Sequence, residues 1–246
     1  MAEGNKPNGS RLISVATPIG NLGDLSPRAV EVLTGADFWI VEDSRVSGRL
    51  AAHLGVKKPM SILNDHTGPG AIEKYLDQIE EGKTAALLTD GGAPSISDPG
   101  ALLVDGAYER GVEVDAVPGP SAVIDALMLS GFFAQRFAFL GFLGRKSGDI
   151  RKELLPFEES PMTLVLFESP HRIDAFLQVA AEIMPERRYA LCRELTKLHQ
   201  QVWRGTLPNL PKVEEMARRG EFTIVLEGKR RARTGKLTGT QGLRTR

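Results

Sequence analysis

Two kinds of segment in this 246-residue chain carry residue types and spacings suited to chemistry. The first is a set of turns rich in Gly, Pro and Asp. They are Thr17-Pro18-Ile19-Gly20-Asn21, Asp90-Gly91-Gly92-Ala93-Pro94 running on to Ser97-Asp98-Pro99-Gly100, and Pro118-Gly119-Pro120-Ser121. A glycine has no Cβ and lets backbone N–H and C=O groups approach a ligand, while a proline stiffens the turn beside it. The second kind is charged: Glu42-Asp43-Ser44-Arg45, Phe167-Glu168-Ser169-Pro170-His171-Arg172 and Arg193-Glu194-Leu195-Thr196-Lys197. These supply carboxylates and cations for proton transfer or for holding phosphates. The histidines at 53, 66, 171 and 199 and the lone Cys192 show no metal-ligand spacing. No metal is therefore expected, and Cys192, in a strand-like run, reads as core.

Such turns need a scaffold to bring them together. Short β-branched runs alternate with amphipathic stretches: Leu12–Ala16 then Pro27–Ala36, Phe38–Val41 then Val46–Leu54, Ala85–Thr89 then Ala101–Arg110, Val112–Val117 then Ser121–Ser130. This alternation predicts βαβ units and a mostly parallel sheet covered by helices. Ser26 before Pro27 is the expected N-cap of the first helix. In such a sheet a ligand lies beyond the carboxyl ends of the strands, where the Gly/Pro turns and the Glu42–Arg45 loop fall. The same syntax resumes at Phe137–Phe142, followed by a turn at Gly144–Gly148. It continues with Met162–Phe167, His171–Met184, Tyr189–Arg193, Gln201–Arg204, a helix near Pro211–Arg219, and Phe222–Glu227. The expected organisation is α/β, with a disordered N-terminus at 1–10, one α/β domain at 11–125, a second with a mixed sheet at 126–228, and a basic disordered tail at 229–246. A cleft between two such halves is a common place for a small ligand.

Composition limits the class of protein. With 41% hydrophobic and 25% charged residues the chain is ordinary globular material. No apolar run nears the roughly 20 residues of a membrane span, and the first ten residues are polar, so a cytoplasmic protein without a membrane partner is expected. The net charge of zero hides an asymmetry: the stretch from Lys229 to Arg246 holds seven Lys/Arg and no acid, leaving 24 basic against 31 acidic residues elsewhere. A basic arm of this kind is either a solvated tail or a contact for phosphate backbones.

The glycine turns match neither Gly-x-Gly-x-x-Gly nor Gly-x-x-x-x-Gly-Lys-Ser/Thr at a strand-to-helix junction, which disfavours NAD and ATP. Acids around the glycines suit a ligand that is neutral or cationic overall, a description that S-adenosylmethionine meets. Turns of this composition also serve simply to reverse the chain.

Taken in order, Thr17–Asn21, Glu42–Arg45, Asp65-His66, Asp90–Pro94 with Ser97–Gly100, Pro118–Ser121, Gly141–Leu143, Phe167–Arg172, Arg193–Lys197 and Arg219–Phe222 resemble the bacterial ribosomal RNA small subunit methyltransferase I family. That family lies within the tetrapyrrole methylase superfamily, and the similarity runs from about Leu12 to Gly228. The resemblance implies a two-domain α/β methyltransferase, usually a homodimer, that uses S-adenosylmethionine and no metal to 2'-O-methylate a cytidine ribose of 16S rRNA, free or in the 30S subunit. It places the cofactor on Pro18, Gly20, Asp90, Gly91, Gly92, Pro94, Pro118, Gly119, Pro120 and Ser121. Its charged motifs offer Asp43, Arg45, Glu168 and Lys197 as catalytic residues, with Glu42, His171, Arg172 and Glu194 beside them. Lys197 would serve as a base if burial lowered its pKa. Three positions depart from the family pattern: Ser44 and Ala93 stand where Thr is usual, and Thr67 where Asn is common, and of these only Ala93 loses a hydrogen-bonding group. A methyltransferase for a small tetrapyrrole, or an RNA-docking assembly factor without catalysis, are the alternatives.

Overall fold

A computed structural model describes residues 10–230, so the leading residues 1–9 and the basic tail from Arg231 onward lie outside the described residues. The chain divides into two compact units, the first ending at Ser121 and the second starting at Ala122.

The first unit is built from β1 (Arg11–Val15), α1 (Pro27–Gly35), β2 (Phe38–Val41), α2 (Ser44–His53), β3 (Met60–Ile62), α3 (Pro69–Glu80), β4 (Thr84–Leu87), α4 (Gly100–Glu109) and β5 (Glu113–Val117). Its five strands are all parallel, in the order β3-β2-β4-β1-β5. Alternate residues feed the two faces, as strand geometry requires. Ile13, Val15, Trp39, Val41 and Ala86 pack with Leu33 of α1 and Leu50 of α2 on one face. Leu12, Phe38, Ile40, Ala85 and Leu87 pack with Leu76 of α3 and Leu103 of α4 on the other. Burial on both faces explains why these strands read as unbroken apolar runs. Ser26 caps α1 as expected, its Oγ accepting from Ala29 N at 3.1 Å.

The second unit holds α5 (Ala122–Ser130), β6 (Phe137–Phe142), α6 (Ser147–Leu154), β7 (Thr163–Glu168), α7 (Ile173–Ile183), β8 (Arg188–Arg193), β9 (Gln201–Thr206) and β10 (Phe222–Leu226). Its sheet is mixed, in the order β6-β7-β10-β8-β9, with β6 parallel to β7 and the other pairs antiparallel. Ile150, Leu154, Phe176, Leu177 and Ala180 of α6 and α7 cover one face, against Leu164, Leu166, Leu191 and Ile224. Helix α5, wholly in this unit, packs against β7, β8, β9 and β10. Cys192 faces that helix, its Sγ 4.0 Å from Ala126 O, and burial pushes its thiol pKa up to about 12. The thiol is core, not nucleophile.

The sequence pattern does not signal β3, α3 or α6, and the helix it predicts near Pro211–Arg219 does not form. That stretch forms a single turn, Met216 N bonding Lys212 O at 3.0 Å, and no helix. Arg218 ends it by reaching back to Met216 O at 2.6 Å, Pro211 O at 2.8 Å and the Asp174 carboxylate. Among the described residues no helix is long and apolar enough to cross a membrane.

Phe176 is fully buried in the second unit's core. Phe176→Ala should lower unfolding free energy by about 3–5 kcal/mol, read by urea titration; a loss under about 1 kcal/mol would contradict this packing.

Candidate functional site

Helices α1 and α4 lie on opposite faces of the first sheet and carry the connections that leave neighbouring strands β1 and β4 in opposite directions, toward β2 and β5. Such a reversal opens a crevice at the carboxyl ends of the two strands. The four loops found in the sequence follow β2, β4, β1 and β5, which stand side by side in that order.

Their contacts join them into one surface. Thr17 and Gly92 exchange both backbone hydrogen bonds at 2.9 Å, stapling the loop after β1 to the loop after β4. Gly92 sits at φ +97°, a conformation that glycine alone adopts without strain. A Cβ on Gly91 would meet Pro18 O at 3.3 Å, and one on Gly119 would meet Ala16 O at 3.1 Å, so backbone lies against backbone at both places. Pro120 O approaches the Gly92 position at 3.9 Å. Gly20, Pro118 and Ser121 lie on the same loops at least partly exposed, and Pro94 is buried beneath the second of them.

The carboxylates converge at one end of this surface. Asp90 Oδ1 accepts from Asp43 N at 3.1 Å, and Glu42 Oε2 accepts from Thr89 Oγ1 at 2.7 Å. Burial, then the charge of Glu42, raises the Asp90 pKa. Asp43 is engaged differently. Its Oδ1 caps α2 by accepting from Arg45 N at 2.8 Å, and its carboxylate pairs with the Arg45 guanidinium at 2.5 Å. The Arg45 side chain, followed by the Arg45 backbone N–H, pulls the Asp43 pKa down to about 2. So weak a base is poorly suited to take a proton from a hydroxyl.

The second unit presents its charged motifs at one end of its sheet, where β7 and β8 finish. Glu168 closes β7 and Arg193 closes β8, and both register with Phe222 of the strand between them, so they stand roughly 10 Å apart. Glu168 is 2% exposed. Its Oε1 accepts from Ser169 N at 2.6 Å, whereas Oε2 has no hydrogen-bond partner among the described residues, although Arg172 Nη2 lies 3.1 Å away. The Arg172 donors are aimed at Leu143 O and Gly144 O instead, at 3.1 and 2.8 Å. Burial raises the Glu168 pKa. Neither Glu168 nor His171 caps α7, whose first turn has no side-chain cap.

Arg193 is 4% exposed and holds the neighbouring loops with Nε to Arg219 O at 2.6 Å and Nη1 to His199 O at 3.2 Å and Gln201 Oε1 at 2.9 Å. Around it Glu194 and Thr196 take left-handed φ values of 51° and 63°. Gly220 is required here, since a Cβ on it would fall 2.6 Å from the Glu194 carboxyl carbon. Lys197 Nζ donates to Glu194 Oε1 at 3.1 Å and Glu221 Oε2 at 2.9 Å. Burial alone would lower its pKa, but the hydrogen bonds it donates to Glu221 and Glu194 outweigh it and the net shift is upward. The condition for Lys197 to act as a base is therefore not met; it is a tethered cation. Glu221, Thr89 and Gln201, which hold Lys197, Glu42 and Arg193, carry no spacing that marks them as site residues. A carboxylate beside Gly220 in the Arg219–Phe222 motif was the one available hint.

A model of the tetrapyrrole (corrin/porphyrin) methylases matches residues 11–211. The chain is 41% identical over 88% of its length to the ribosomal RNA small subunit methyltransferase I of Synechocystis, covering 78% of that protein. It is 40% identical over 89% of its length to the protein of the same name from Thermotoga maritima, covering 99% of it. The chain belongs to the small subunit methyltransferase I branch of the tetrapyrrole methylases. Solved methylases share the fold. The methyltransferase CobJ aligns with TM-score 0.67 at 16% identity, over 92% of this chain and 97% of that one. The uroporphyrin-III C-methyltransferase of Thermus thermophilus, solved with S-adenosylhomocysteine, aligns with TM-score 0.61 at 17% identity, over 87% and 96%. Membership makes this chain an S-adenosylmethionine-dependent methyltransferase.

The Asp43–Arg45 pair yields a sign-definite test. A folded-state pKa near 2, against an ordinary 3.8, means that the pair's stabilisation is whole above about 4 and is lost as pH falls through 2. Carboxyl NMR should show Asp43 titrating near 2 and returning toward 3.8 in Arg45→Gln; a wild-type midpoint near 3.8 would remove the pair.

Proposed function

We propose that this methylase transfers a methyl group to the ribose 2'-hydroxyl of a cytidine in 16S rRNA, free or within the 30S subunit, working as a homodimer in the cytoplasm. The observation that carries this reading is identity near 40% along nearly the whole chain to proteins named ribosomal RNA small subunit methyltransferase I, with the Glu168 and Arg193 motifs of the second unit at the same end of its sheet.

The first-unit loops fit the methyl donor. Gly91 and Gly119 keep backbone groups bare where a Cβ would press on Pro18, Ile19 or Ala16, Gly92 holds φ +97°, and Asp90 with Glu42 provides negative charge for a cationic ligand. Pro18, Gly20, Pro94, Pro118, Pro120 and Ser121 complete the wall in this reading. When bound, S-adenosylmethionine supplies a sulfonium methyl, which passes to the 2'-oxygen as the S–CH3 bond breaks and the hydroxyl proton leaves.

For that proton the electrostatics favour Glu168. Burial raises its pKa despite the Arg172 guanidinium 3.1 Å from Oε2, and Oε2 has no hydrogen-bond partner among the described residues, which makes it a better base than Asp43, held near 2. Lys197, protonated and braced by Glu194 and Glu221, is assigned to an RNA phosphate or to the developing oxyanion. Arg45, exposed beyond its bond to Asp43, is assigned to phosphate.

The deciding experiment incubates the protein with methyl-labelled S-adenosylmethionine and unmodified 30S particles, free 16S rRNA or uroporphyrinogen. Label should appear in a cytidine ribose of the RNA; label in the tetrapyrrole alone, or in nothing, would sink the proposal. Glu168→Gln should cut kcat about 10²–10⁴-fold with donor affinity unchanged. Gly92→Ala should weaken donor binding at least tenfold by calorimetry, because alanine strains at φ +97°; equal affinity would remove this loop from the donor site.

A further inference from the structure

The Gly141-Phe142-Leu143 motif has no part in holding the donor or in the proton transfer assigned to Glu168. It closes β6 and leads through Gly144-Arg145-Lys146 into α6. Phe142 is 63% exposed, more than any other phenylalanine among the described residues. The fold holds the ring there. Strand β6 shifts its register against β7 between Phe139 and Phe142, and Gly141 within the shift takes φ +62°. The extra residue sets Phe142, in place of Gly141, opposite Phe167, and a shift of one residue moves a side chain to the other face. The Phe167 ring centre then lies 5.4 Å from that of Phe142 and 5.0 Å from that of Phe139. Phe142 is braced on one side and open to water on the other.

The residues after Phe142 are pinned to the end of the sheet that carries Glu168. Leu143 is buried, a Cβ on Gly144 would collide with Asp149, and Arg172 Nη2 donates to Leu143 O at 3.1 Å and Gly144 O at 2.8 Å. The same Nη2 lies 3.1 Å from Glu168 Oε2. One strand spacing and one residue separate Phe142 from Glu168, roughly 6 Å between Cα atoms, with the two side chains on opposite faces. Arg145 and Lys146 follow, exposed and in no ion pair among the described residues. The acids of α6 are turned to Gly144: Glu153 Oε1 accepts from its N–H at 3.1 Å, and Asp149 lies against it. A bare aromatic face followed by free cations suits single-stranded nucleic acid, since every base has a π-face and every linkage a phosphate. A second copy of the chain would need about 800 Å² of matched surface per partner, against one ring flanked by two free cations here.

We infer that Phe142 is a stacking platform for an unpaired base of the acceptor RNA, adjacent in the strand to the methylated nucleotide, with Arg145 and Lys146 on the neighbouring phosphates. This rests on the reading that the acceptor is RNA. Because the ring and Glu168 share a strand end but not a face, one nucleotide does not use both, and the stacked base belongs to a neighbour of the one that reacts.

The test uses the full chain carrying Phe142→Ala, Phe142→Leu or Phe142→Trp, with a thermal melt to confirm that each exposed-site variant folds. KM for unmodified 30S particles should rise about tenfold to hundredfold in the Ala and Leu variants and stay near wild type in the Trp variant, while donor affinity by calorimetry is unchanged in all three. A wild-type KM in Phe142→Ala would overturn the inference. So would full rescue by Leu, which fills space without a π-face, or a fall in sedimenting mass in Phe142→Ala, which would assign the ring to a contact between copies. A second readout needs no methylation: the indole introduced by Phe142→Trp should be quenched by single-stranded oligocytidine RNA. Wild type, with Trp39 fully buried and Trp203 partly so, gives the baseline, and quenching no greater than that baseline would overturn the platform. Adding Arg145→Gln and Lys146→Gln should flatten the log K against log salt slope of that quenching by about 1.4, two phosphates at about 0.7 each. If wild type methylates no rRNA, the proposed reaction fails while the quenching still judges the platform.

Discussion

Strands β1 and β4 are hydrogen-bonded neighbours, yet the chain leaves one toward β2 over one face of the sheet and the other toward β5 over the opposite face. Right-handed crossovers make that divergence unavoidable once the strand order is set. No helix can then cover the gap between the two strand ends, and loops must line it. The mutual hydrogen bonds of Thr17 and Gly92 close its floor, Gly91 and Gly119 let backbone press on backbone around it, and Asp90 with Glu42 gives it negative charge.

The second unit reaches order by another route. Its sheet places Glu168 and Arg193 on either side of Phe222, and the loops beyond them are held by side chains more than by backbone pairing. Arg193 gathers three acceptors, Glu194 receives the Glu221 N–H and the Lys197 ammonium, and Gly220 leaves room for the carboxylate. The left-handed residues Glu194 and Thr196 persist because these bonds over-determine them. The loops of the two units thus rest on two different kinds of support, a backbone cradle and a braced cluster of charges.

Much of this was legible from residue order. Strong apolar runs such as Phe38–Val41 and Phe137–Phe142 gave their strands with correct ends, and Ser26 before Pro27 marked a true cap. What escaped notice was locally weak. Strand β3 is three half-buried residues, and α3 and α6 begin without a side-chain cap, although Ile72, Leu76 and Ile79 of α3 do recur at helical spacing. The false helix at Pro211–Arg219 had helical composition, but Arg218 draws its carbonyls away, a tertiary effect that no local pattern contains. At the site, the turns after the strands were readable because glycine and proline announce themselves. The protonation preferences were not, since the low pKa of Asp43 and the raised pKa of Lys197 come from particular partners a few ångströms away.

The Arg193 guanidinium is buried against carbonyl and amide oxygens, with no carboxylate among its hydrogen-bond partners. None of those acceptors gains or loses a proton in the range where proteins live, and arginine does not lose its own. The brace behind Lys197 is therefore indifferent to acidity: protons can change how Glu194 and Glu221 hold the lysine, but not the frame in which they do so.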